Sequence, residues 1–197
     1  MTAVRLEKAR EEYAGQVAVR WKSYALVMGR LESRPISAHS KSSRLSASQA
    51  EPDATFLPWD ESKPYVSSSL PALEAAKCAQ LQGADAFRAY HTALFRALFA
   101  ESRDISDPEV LVEMAGETGL DVDQFRIDLE SGRQKAVVIA EHLELLSEYR
   151  EVVSGVPVVI VDGREPIIGA APTEVFARVI ERALEEQVYS GASSGAE

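Results

Sequence analysis

Along the first fourteen residues, Val4, Leu6, Ala9 and Tyr13 recur at helical spacing among charged side chains. This predicts an amphipathic helix over residues 3–14 with Gly15 as its stop signal. Val17, Val19 and Trp21 then alternate with Ala18, Arg20 and Lys22, and the period-2 pattern continues through Tyr24 and Leu26, which predicts a strand. From residue 29 to 64 the apolar anchors thin out. Ser33, Ser37, Ser40, Ser42, Ser43, Ser46 and Ser48 are interspersed with Pro35, Pro52, Pro58 and Pro64, so a long mobile loop is expected, with a short helix near 45–50. Such a segment is either a lid beside a substrate or a tolerated insertion, and the insertion is favoured.

The middle of the chain is patterned for helices. Residues 70–82 and 85–101 carry Leu, Ala, Phe and Tyr at 3.6-residue spacing on either side of Gly83, with apolar faces broad enough for a bundle. Ser106, Asp107, Pro108 and Glu109 form a helix start: a side-chain acceptor, a proline whose missing N–H costs nothing there, and an early carboxylate. Gly119 closes that helix, and residues 124–130 and 134–149 supply two more. The pattern then changes again. Residues 156–161 are a β-branched run ended by Asp162 and Gly163, a pair suited to a tight hairpin turn, and 166–168 reads as the return strand. A final amphipathic helix over 173–188 has Val175, Phe176, Val179, Ile180 and Leu184 on its inner face, and the tail 190–197 is expected to be disordered. Alternation at both ends around an all-helical middle implies a small α/β sheet domain, 1–28 with 152–189, interrupted by the loop 29–64 and a helical insertion 65–151.

Composition narrows the function classes. With 46% hydrophobic and 26% charged residues the chain is patterned for a soluble globular protein. Its 31 acidic against 21 basic residues leave a net charge of -10, which argues against a nucleic-acid partner. No run approaches the length of a membrane span and the charged N-terminus lacks a signal peptide's apolar stretch, so a cytoplasmic protein with no membrane partner is expected. The single cysteine, Cys78, cannot close an internal disulfide and leaves no room for a CxxC pair or a cysteine-rich zinc site in this sequence.

The most informative segment is Gly155-Val156-Pro157, placed immediately before a strand. Proline cannot donate to a ladder, so at a strand entry it needs a bulge, an edge or a cis peptide bond; a cis bond here would turn the backbone of Val156 outward as a hydrogen-bonding rail. Together with the β-branched strand, the Asp162-Gly163 hairpin, the short return strand, Gly169 and the terminal helix, this segment resembles the C-terminal half of the DsbA-like thioredoxin proteins. Trp21, Tyr24 and Leu26 are similar to the second strand of the FrnE-type members, and the stretches SSLPALEAAKCAQLQG, AFRAYHTALFRALF and RDISDPEVLVEMAGETGLD look like their helical insertion. The resemblance covers most of residues 3–188. It implies a thioredoxin-like α/β fold with an all-helical insertion, and thiol–disulfide exchange, in which a low-pKa thiolate attacks a disulfide and a second cysteine resolves the mixed intermediate.

Here the sequence departs from the family. Its relatives begin with a strand leading into CxxC at the start of the first helix, whereas the corresponding helix here starts beside Met1. An N-terminally shortened form lacking the first strand is therefore expected, from a misplaced start codon, a cloning boundary or gene decay. Losing only three buried aliphatic side chains of that strand would forfeit about 5 to 9 kcal/mol.

Other candidates are weighed against plainer roles. Cys78 sits among Ala75, Ala76, Ala79 and Leu81, which suits a buried small hydrophobe better than a nucleophile. His39, His91 and His142 show no metal-ligand spacing, and His91 reads as a core or interface histidine. The pairs Glu141/Glu144 and Glu185/Glu186 read as solvated helix faces.

The expected site is therefore Gly155, Val156 and Pro157, binding a substrate without catalytic residues or metal of the chain's own. Val156 would pair with an extended thiol or disulfide substrate, a protein or a small molecule such as glutathione. The leading expectation is a DsbA-family thiol–disulfide oxidoreductase that is redox-inactive as written, with no cofactor. Two alternatives stand beside it. One is a glutathione-dependent enzyme of the 2-hydroxychromene-2-carboxylate isomerase and kappa transferase branch, where a serine serves glutathione and only Thr2 is available near the first helix. The other is a non-enzymatic thioredoxin-like binding or chaperone module. Nothing in the sequence sets the oligomeric state.

Overall fold

The computed structural model describes residues 1–32, 35–149, 155–164 and 166–193. The elements run α1 (Thr2–Glu12), α2 (Ala38–Ala50), α3 (Leu70–Leu81), α4 (Ala84–Phe99), α5 (Pro108–Glu117), α6 (Val122–Glu130), α7 (Arg133–Tyr149), β1 (Val158–Val159), β2 (Ile167–Ile168) and α8 (Thr173–Ser193). They divide into two compact units. One comprises Lys22–Ser147, and the other is made from the two ends of the chain, Met1–Trp21 and Glu148–Glu197. No helix among the described residues is long and apolar enough to cross a membrane.

The helical unit is built on α3, whose Ala72, Ala75, Ala76, Cys78 and Ala79 form a buried face of small side chains. Small residues let neighbouring helices approach closely, and α3 accordingly packs against α4, α5 and α6. Tyr90 of α4 is fully buried, and its hydroxyl donates to the Leu111 carbonyl at 2.9 Å while its ring lies 5.2 Å from that of Phe125. The helix starts follow the local chemistry. Asp107 accepts from the Glu109 N–H at 2.9 Å ahead of Pro108, and Asp121 accepts from the Gln124 N–H at 3.0 Å. At the far end of α5, Gly119 takes φ +78, a conformation that side-chain-bearing residues rarely adopt.

Two expectations change in this unit and its approach. The strand expected over 17–26 does not form, although Val17, Val19, Trp21, Ser23 and Ala25 do alternate inward against more exposed neighbours. Alternation orients side chains, but a strand also needs a neighbouring backbone to pair with, and no ladder partner lies beside this segment among the described residues. The inward phase also differs from the pattern read through Leu26, which is 70% exposed. The second change is in 29–64, where a 13-residue helix, α2, replaces the short one expected near 45–50. Its amphipathicity is weak because Arg44 is its only buried residue. Arg44 nonetheless donates to the carbonyls of Leu57, Leu98 and Phe99 at 3.3, 2.8 and 3.0 Å, and its guanidinium lies over the rings of Phe99 and Trp59. A tertiary anchor thus holds a helix that serine-rich composition alone disfavours.

In the other unit, α1 packs against α8. Thr2, Arg5, Leu6 and Ala9 form the buried side of α1, while Phe176, Ile180 and Ala183 form that of α8. β1 and β2 are an antiparallel pair in the register Val158 to Ile168 and Val159 to Ile167. The run expected as a strand over 156–161 thus forms only two ladder residues. α8 extends to Ser193, beyond the expected end at 188 and into the tail expected from 190, whose last residues, 194–197, lie outside the described ones.

Candidate functional site

The hairpin turn follows from its two central residues. Asp162 and Gly163 have φ +52 and +69, and the Arg164 N–H donates to the Val161 carbonyl at 3.0 Å, the combination of a turn in which both central residues need positive φ. At the other end of the hairpin the Val156–Pro157 peptide bond is cis. The Pro157 carbonyl accepts from the Gly169 N–H at 2.7 Å, which joins the segment before β1 to the segment after β2. Gly155, Val156 and Pro157 are all exposed, and neither backbone polar group of Val156 is hydrogen-bonded among the described residues. An exposed stretch with unpaired N–H and C=O groups can accept an extended chain by backbone pairing.

Arg5 is the residue here that sequence reasoning passed over. It lies on the buried side of α1 with Thr2, Leu6 and Ala9, and its Nη1 donates to the carbonyls of Ala170 and Ala171 at 3.0 and 2.7 Å. The legible signal was a charge on the face of a helix that is otherwise uncharged and inward.

The remaining candidates stay apart. Cys78 is fully buried in α3, and burial, reinforced by the charges of Glu74 and Asp128, pushes its thiol up to about 12. At neutral pH it is a thiol rather than a nucleophilic thiolate. Thr2 is buried, and its Oγ1 has no hydrogen-bond partner among the described residues. His39, His91 and His142 sit on three different helices. His39 is exposed, His91 stacks on Phe87 and meets Phe95 edge-on, and His142 is buried against the Tyr24 ring. Among the described residues no group of three histidine, cysteine or carboxylate side chains could hold a metal ion.

The glutamate pairs need one correction. Glu144 is exposed and pairs with Lys22, and Glu186 is exposed and pairs with Arg164 and Arg182. Glu141 is not part of a solvated face. Its Oε1 accepts from Lys77 Nζ at 2.7 Å, its Oε2 accepts from the Ser23 N–H at 2.7 Å, and the Lys77 and Glu141 side chains are 8% and 13% exposed. Burial alone would raise this carboxyl, but the Lys77 and Ser23 hydrogen bonds and the Lys77 charge outweigh it and hold the group below its ordinary value. The arrangement clamps α7 to α3 and to the segment beside Ser23, which is a structural role.

Known proteins share this architecture. The chain matches the DSBA-like thioredoxin domain over residues 1–181. It is 37% identical over 73 residues to the ClpXP adapter protein SpxH of Bacillus subtilis (strain 168), which covers 37% of this chain and 24% of that protein. It is 35% identical over 92 residues to the uncharacterized protein YwbO of the same organism, covering 46% of this chain and 44% of that one. The matched regions thus span less than half the length of either relative. Among solved structures it is similar to "a putative protein disulfide isomerase from Nitrosomonas europaea", with a TM-score of 0.71, 18% identity, and coverage of 94% of this chain and 90% of that one. At that identity the likeness shows the fold, which is thioredoxin-like with a helical insertion.

Proposed function

The chain belongs to the DSBA-like thioredoxin family, and on that premise we propose that it is a thiol–disulfide oxidoreductase by descent that keeps the family's substrate-holding loop. Gly155, Val156 and Pro157 form that loop, and Val156 pairs its backbone with an extended thiol or disulfide substrate, either a polypeptide or glutathione. The observation that carries this reading is the exposed backbone of Val156, unpaired among the described residues, beside the Gly169–Pro157 hydrogen bond. Exchange needs a thiolate to attack one sulfur of the substrate disulfide while the other sulfur leaves. The 197 residues hold one thiol, and it is buried and protonated, so these residues alone bind substrate without turning it over. A FrnE-type relationship and a cytoplasmic site of action belong to the same proposal.

A second reading has one observation in its favour. The similar segment of SpxH belongs to a protein named as a ClpXP adapter, and an adapter binds rather than catalyses, which supports a non-enzymatic thioredoxin-like binding module. The glutathione-dependent isomerase or transferase reading is less well supported, since Thr2, the hydroxyl residue available at the start of α1, is buried.

Calorimetry and an insulin-reduction assay on residues 1–197 test these readings. The expected result is measurable binding of an extended cystine-containing peptide with no insulin reduction. Equal affinity for the same peptide with serine in place of its half-cystines would favour the binding module. Binding of glutathione alone would favour the isomerase branch. Insulin reduction that survives Cys78→Ser, or no binding of any of these probes, would overturn the proposal.

A further inference from the structure

We propose that Arg5 is a positioning residue for the Val156 loop and sets how tightly that loop holds its substrate; the inference rests on reading the loop as the substrate-binding rail. A guanidinium does not shed its charge in a protein, so burying one requires acceptors around it. Arg5 is 8% exposed, and the acceptors it uses include the adjacent carbonyls of Ala170 and Ala171. Those carbonyls lie in the tight turn after β2, where Gly169 takes φ +81 and the Ala171 N–H donates to the Gly169 carbonyl at 3.0 Å. The Gly169 N–H then donates to the Pro157 carbonyl, next to Val156. One path of hydrogen bonds thus runs from the first turn of α1, through the turn after β2, to the rail.

The chemistry gives this path a function beyond holding α1 in place. Charge-assisted hydrogen bonds are stronger than neutral ones, and both grip the same two-residue turn, so the orientation of Gly169 is fixed before substrate arrives. A rail fixed in advance loses less freedom on binding and therefore binds more tightly. Arg5 touches no substrate in this scheme and acts only through Gly169 and Pro157.

The test compares the 197-residue protein with Arg5→Ala, Arg5→Lys and Ile180→Val, the last a core change in α8 that removes one buried methylene and none of the hydrogen bonds along this path. Two quantities are read: calorimetric affinity for the cystine-containing peptide, and native-state hydrogen exchange at the Gly169 N–H. Arg5→Ala should weaken the peptide about tenfold or more and speed Gly169 exchange beyond any global loss of stability, because two bonds to a charged donor are gone. Arg5→Lys should recover part of both, since a single cationic nitrogen serves both carbonyls. Ile180→Val should leave the affinity unchanged. An Arg5→Ala protein with unaltered affinity, or with Gly169 exchange no faster than in Ile180→Val, overturns the inference. If Arg5→Ala does not fold, Arg5→Lys decides by the same two measures, with wild-type values in both overturning it. A wild-type protein that binds no peptide defeats the reading of the rail, and Gly169 exchange still decides separately whether Arg5 holds the turn.

Discussion

The two units of this protein solve the burial problem differently. Of the largest fully buried side chains among the described residues, Tyr90, Phe125, Leu111, Met114, Val138 and Cys78 belong to the helical unit, whereas Phe176 alone belongs to the unit that carries the hairpin. The helical unit closes its core with its own helices, chiefly α3, α4 and α5, which supply apolar faces at 3.6-residue spacing. The hairpin unit instead relies on one helix pair, a two-residue ladder and polar ties such as Arg5 to Ala170 and Ala171. A self-sufficient helical core therefore accompanies a unit that leaves the backbone around Val156 exposed.

This contrast can be broken most directly at its strongest point. Phe125→Ala leaves a cavity in the helical core and should cost about 3 to 5 kcal/mol in chemical denaturation; a loss below about 1 kcal/mol would mean that the core repacks and that its closure is overstated. Next in size is Glu141→Gln, which removes the carboxylate facing the buried Lys77 ammonium and should cost roughly 3 kcal/mol at pH 7. Its pH dependence carries a sign that can be checked. Because the folded-state carboxyl lies below its ordinary value of 4.5, its contribution is fully present above that value and is lost as the pH falls through the lower folded-state value. Denaturation midpoints measured from pH 6 to pH 3 should therefore converge for wild type and Glu141→Gln in acid, and midpoints that stay parallel would refute the clamp.

Two smaller effects sharpen the comparison. Tyr90→Phe deletes one buried hydrogen bond to the Leu111 carbonyl without emptying the ring's place, and should cost about 1 kcal/mol. Val156→Ala, by contrast, trims an exposed side chain that the hairpin unit does not use for its own stability, so the melting temperature should correspond to a change within about 0.5 kcal/mol. A larger destabilisation at Val156 would show that this side chain contributes to the fold rather than only to its surface.

Much of this architecture was legible in the chain. The helices from 70 to 149 announce themselves through apolar spacing and through Asp107, Pro108 and Gly119, because capping and periodicity act between residues a few positions apart. Gly155-Val156-Pro157 was legible for the same reason, since proline's missing N–H is a local fact. Other features were hidden. α2 looked like loop because its anchor is the Arg44 contact with carbonyls more than fifty residues away, near the end of α4, and Glu141 looked solvated because its partner Lys77 lies on another helix.

The sequence by itself determined what depends on near neighbours: where helices begin and end, the turn at Asp162 and Gly163, the exposed segment at Val156, and the lack of a second thiol. The tertiary structure decided what depends on distant partners. It alone placed Arg5 against the turn after β2, sealed Glu141 onto Lys77, and left the alternating segment 17–26 without a ladder among the described residues. The physical reason is common to all three. Hydrogen bonds, ion pairs and desolvation act over a few ångströms, and which groups come that close is set by how the chain folds back on itself.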